Sequence, residues 1–65
     1  MKAENFDGIL VFVRETDKAI GVRLDEDAPV VWLPKSEIEF HVGDPAPGVV
    51  HVIAPEWLAT QRGLI

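Results

Sequence analysis

The sequence predicts a mainly β fold: a small five-stranded antiparallel sheet, twisted or rolled into a partly open barrel, with one short C-terminal helix. Three observations carry this. Apolar segments with period-two spacing fill most of the 65 residues. Clusters of Gly, Pro, Asp and Ser separate those segments. Only the last stretch, APEWLATQRGLI (residues 54–65), switches to helix start and stop signals.

Residues 6–15, FDGILVFVRE, are rich in β-branched and aromatic side chains, and Gly8 discourages a helix. Ile9, Val11 and Val13 alternate with Leu10, Phe12 and Arg14, so the middle of this strand is apolar on both sides and is expected to be covered on both. Thr16-Asp17-Lys18 suits a hairpin. Residues 19–25 alternate cleanly, with Ile20, Val22 and Leu24 expected inward. Gly21 marks a bend or a close approach by another side chain.

Asp25 to Pro29 is a turn, and Pro29 is expected to start a strand or sit at its edge. Residues 30–33 form the third strand, and Lys35-Ser36-Glu37 a sharp corner or single 3₁₀ turn. In residues 38–42, Ile38, Phe40 and Val42 are expected inward, Glu39 and His41 outward. The loop Gly43-Asp44-Pro45-Ala46-Pro47-Gly48 leads to the fifth strand, residues 49–54, with apolar residues on both faces.

The helix is expected over about residues 55–62. Pro55 fits the first helical position, Glu56 suits the dipole, and Gly63 is the left-handed terminator. Leu64 is expected to fold back on the helix. A helix this short does not hold alone. Trp57, Leu58 and Leu64 must therefore dock on the sheet, on a neighbour or on a second copy.

Composition bounds the rest. An apolar share of 48% beside 26% charged residues is too apolar for a disordered chain, and 65 residues leave room for one core, so residues 1–65 read as a single domain. With no cysteine, disulfide scaffolds and thiolate metal sites are excluded. Apolar runs such as residues 9–13 reach about five residues, against the ~20 needed to cross a bilayer. Met1-Lys2-Ala3-Glu4-Asn5 is polar and acidic, unlike a secretory leader, and a cytoplasmic protein with no membrane partner is expected.

Eleven acidic residues against six basic ones give a net charge of -5, which does not favour gripping phosphates. The run Asp25-Glu26-Asp27 reads as a solvated turn, or as an acidic surface that docks a partner or mimics nucleic acid. His41 and His51 face each other if the fourth and fifth strands pair, and with Glu39 or Asp44 they form the one conceivable metal cluster. Their spacing matches no recognised ligand motif, so no metal and no other cofactor is expected. Ser36, between Lys35 and Glu37, is expected to bind turn amides rather than act as a nucleophile. No glycine-rich phosphate loop is present, and a chain this small has little volume for a pocket of ~300 Å³.

Two segments together, Trp-Leu-Pro-x-Ser-x-Ile-Glu (residues 32–39) and Pro-Glu-Trp-Leu-Ala with a terminal Gly-Leu-Ile (residues 55–65), resemble small proteins encoded by bacteriophages and related mobile elements. The resemblance spans Val30 to Ile65. It implies an accessory protein without an established activity, and some relatives accompany replication or recombination genes.

The expectation is a non-enzymatic protein-interaction module, self-associating or binding a protein partner through Trp57, Leu58 and Leu64, with Trp32 and Lys35 near the corner. The alternative is a small barrel that binds single-stranded nucleic acid through Trp32, Lys35 and Arg14. A further alternative is an acidic mimic of nucleic acid built on Asp25, Glu26 and Asp27.

Overall fold

A computed structural model describes residues 5–65. The polar stretch of residues 1–4, with Lys2, lies outside the described residues. Five strands form one antiparallel sheet: β1 (Asn5–Glu15), β2 (Ala19–Arg23), β3 (Val31–Pro34), β4 (Glu39–Val42) and β5 (Val49–Pro55). A short helix, α1 (Glu56–Gln61), follows β5 directly. Strand order is β3-β2-β1-β5-β4, so β1 lies at the centre and β3 and β4 at the two edges.

The connection between those edges shapes the sheet. A flat five-stranded sheet sets its edge strands about 19 Å apart. Residues 35–38, including one 3₁₀ turn (Lys35–Glu37), link them. That segment covers only about 13 Å. The sheet therefore curls until its edges approach, although among the described residues β3 and β4 share no ladder and the sheet does not close. The Lys35 amide donates to the Lys18 carbonyl at 2.8 Å, which ties the corner to the β2 end of the sheet.

The concave face is the core. Leu10, Ile20, Val22, Leu33, Val50, Val52 and Ala54 are buried there, with Phe6, Phe12, Val31, Ile38 and Phe40 packed around them. Among the described residues no polar or charged residue is buried. In β2 the alternation puts Ile20 and Val22 in the core as expected, and in β5 Val50, Val52 and Ala54 are buried while Val49, His51 and Ile53 are only half-buried.

The alternation fails in β1 past Phe12. Phe12 pairs with Val22 and Arg14 with Gly21, so Val13 is an extra residue in a β-bulge. The bulge takes Arg14 off the face of Leu10 and Phe12, where strict alternation puts it. Ile9 and Val13, expected under cover, are exposed, because no helix or second sheet of the described chain lies over the convex side. Leu24 and Val42 are also exposed, contrary to expectation. Leu24 lies beyond the end of β2. Val42 lies opposite Val50 at the end of the sheet away from the helix, where no element covers it. Strand β3 begins at Val31 rather than at Pro29 or Val30.

Gly21 is fully paired on both sides, and a Cβ there would meet the Trp32 ring at 3.2 Å. The close approach expected of this glycine is the cross-strand ring.

The helix is six residues long, too short to stand without packing. Pro55 closes β5 and caps the helix instead of taking its first position, its fixed φ of -60° serving both elements. Leu58 and Ala59 enter the core against β5 and β1. At the far end, Gly63 adopts φ +79°, its amide donates to the Thr60 carbonyl, and the Leu64 amide donates to the Ala59 carbonyl at 2.8 Å. These two bonds make a Schellman motif, and they turn Leu64 back into the core. The helix is thus a lid on one end of the curled sheet.

Candidate interaction surface

The helix divides its own apolar residues. Leu58 and Leu64, expected to meet a partner, are buried in the chain's core and unavailable to one. Trp57 is the residue left over. It precedes Leu58, so the turn that buries Leu58 carries Trp57 away from the sheet, and it stands 58% exposed. Of the three covers the sequence left open for Trp57, its own sheet is the one the described chain does not provide. Ile65, just past the buried Leu64, is also exposed. Nothing in the sequence marks which side of a terminal glycine turn a last residue takes.

Trp32 lies on the convex face of β3, 42% exposed, with part of its ring over Gly21. Pairing across the sheet places Trp32, Gly21 and Arg14 in one row. Two strand spacings separate the backbones of Trp32 and Arg14, about 10 Å. Lys35 is not a free cation beside this tryptophan. Its ammonium donates to Glu15 Oε2 at 2.6 Å and lies 5.9 Å from the Phe40 ring centroid, against the opposite, concave side.

The centre of the convex face holds Ile9 and Val11 on β1 across from His51 and Val49 on β5. His51 is in turn opposite His41 on β4, with ring centroids 6.2 Å apart. The facing of these histidines is as the sequence implies for paired strands. Asp7 was missed: its Oδ1 accepts a hydrogen bond from His51 Nε2 at 2.5 Å. Residues 44 positions apart meet only through the β1–β5 ladder, and that pairing leaves no local signal. Among the described residues no group of three or more His, Cys, Asp and Glu side chains is set to hold a metal.

The acidic run is a turn. Asp25 Oδ1 accepts from the Asp27 amide at 2.8 Å, and the Ala28 amide donates to the Asp25 carbonyl. Arg23 reaches across it, donating from Nη1 to the Glu26 carbonyl. All three carboxylate residues are exposed.

Ser36 lines a shallow, open concavity of about 330 Å³ with Glu37, Ile38, Glu39, Ile53 and Pro55. A hollow of that size is more than the chain length led us to expect, and it arises where the corner leaves the sheet edge. The Ser36 hydroxyl makes no bond to the turn amides among the described residues; the turn is closed by the Ile38 amide on the Lys35 carbonyl. Among the residues lining the concavity no histidine stands beside Ser36 as a base.

No helix in the described chain is long and apolar enough to cross a membrane. Comparison of the chain with family models, with curated proteins and with solved structures gives no match.

Proposed function

We propose that this chain is a non-enzymatic interaction module of the phage or mobile-element accessory type, and that it self-associates through the surface around Trp57. One observation carries the reading: Trp57 is the largest side chain of α1 and stands 58% exposed on a helix whose other apolar residues are consumed in the core. An exposed tryptophan on a rigid, docked element is the usual anchor of a protein contact, since it brings large apolar area at low entropic cost. Ile65 enlarges the same apolar terminus.

The test is light scattering of wild type and Trp57→Ala at ~10 μM, a range in which a modest interface of this kind is populated. Wild type is expected above the 7.2 kDa of one chain, and the variant at 7.2 kDa with the β-sheet circular dichroism of a folded chain. A wild-type mass of 7.2 kDa sinks the reading.

A second reading, binding of single-stranded nucleic acid, is supported by the row of Trp32, Gly21 and Arg14, which sets a stacking ring and a cation on one face. It omits Lys35, whose charge is already met by Glu15. Binding in a gel shift at ~50 mM salt that weakens with salt and with Arg14→Gln supports it; no shift at micromolar protein removes it.

A further inference from the structure

We propose that the convex face carries a divalent-metal site for an imidazole-seeking ion of the zinc or copper type, held by His41 and His51 with Asp7 as the carboxylate partner of His51. The inference is independent of self-association, since all three residues belong to one copy.

Register is the first argument. His41 and His51 are directly opposed on adjacent antiparallel strands, so their side chains leave the same face from neighbouring backbone positions. Their ring centroids are 6.2 Å apart. With metal–nitrogen bonds of about 2.0–2.1 Å, two imidazoles sharing one ion place their centroids about 5.2 Å apart in tetrahedral geometry and about 6.4 Å apart when trans. The observed separation lies between these limits. A shift in centroid separation of about 1 Å or less seats an ion, and His41, being exposed, is free to turn.

The second argument is the carboxylate. An ionised aspartate only accepts hydrogen bonds, so His51 Nε2 must donate to Asp7 Oδ1. The neutral imidazole then keeps its lone pair on Nδ1, which is the ligand atom. Carboxylate–histidine pairs of this kind fix the tautomer and raise the basicity of metal-binding histidines. Water completes the coordination, because the pair supplies two protein donors and faces solvent.

Calorimetric titration of the full chain with zinc chloride, and separately with copper sulfate, tests the site. One saturable event per chain is expected, with a dissociation constant of roughly 10–100 μM for so few protein ligands. His41→Ala and His51→Ala should each weaken it by at least ~10-fold, and Asp7→Asn by ~10-fold, as loss of an outer carboxylate does. Both histidines lie outside the core, so the metal-free variants should unfold at the wild-type midpoint, and the rise in midpoint that metal gives the wild type should disappear. Absence of saturable binding at ~1 mM metal, or equal binding by either histidine variant, overturns the site. Unchanged affinity in Asp7→Asn overturns the role of the carboxylate.

Discussion

Along β5, Val50, Val52 and Ala54 are sealed beneath the helix and the curled sheet, whereas Val49, His51 and Ile53, each one residue away, remain half-buried on the convex side. The same split runs through β1, where Leu10 is buried and its neighbour Ile9 is 54% exposed. Side-chain character does not separate the faces: valine and isoleucine occur on both. Geometry does. The short link between β3 and β4 curls the sheet one way, and α1 closes the concave side. The convex side keeps its apolar residues without a cover, and they are available for contact with something outside the described chain.

Paired substitutions across this divide should separate the faces most sharply where the core is largest. Leu33→Ala empties a fully buried position and should cost about 2–5 kcal/mol in denaturant unfolding. Its neighbour on the convex face gives the contrast: Trp32→Ala should cost less than Leu33→Ala, because the ring is already partly in water. Equal losses would mean that the convex face is structural after all.

A subtler exchange keeps shape and changes only polarity. Val52→Thr buries a hydroxyl with no partner and should cost about 1–3 kcal/mol. Val49→Thr, on the half-buried side of the same strand, should stay within about 0.5 kcal/mol. Thermal unfolding of the two variants checks the difference, and a reversed order would contradict the assignment of faces.

The smallest effect belongs to the rim. Lys35→Ala removes the 2.6 Å pair with Glu15, both side chains being partly in solvent, and should cost under about 1 kcal/mol. The loss should shrink further in ~1 M salt, where the Debye length is near 3 Å. A larger, salt-insensitive loss would show that the Lys35 stem over Phe40, not its charge, holds the corner.

Much of the concave face was legible because it follows local rules. Ile20 and Val22 sit where alternation places them, and Gly63 with Leu64 reads as a helix terminator because only glycine takes that backbone conformation at little cost. The bulge at Val13 was not legible: in an apolar run an inserted valine leaves the pattern looking intact, and only the pairing with β2 shows it. Strand order was equally hidden, and with it the meeting of Asp7 and His51. The helix was located, but not which of Trp57 and Leu58 it buries. Adjacent apolar residues on a six-residue helix carry too little periodicity to orient it, so the tail was read as one greasy unit when it is in fact divided.

That division makes Trp57 the residue to watch. In a Trp32→Phe background the remaining tryptophan reports only on α1. Acrylamide quenching of its fluorescence across a dilution series from ~100 to ~0.1 μM spans the affinities of modest self-association. The account predicts that Trp57 is shielded at the high end and becomes freely quenched on dilution. Quenching that is full and constant across the series would contradict it.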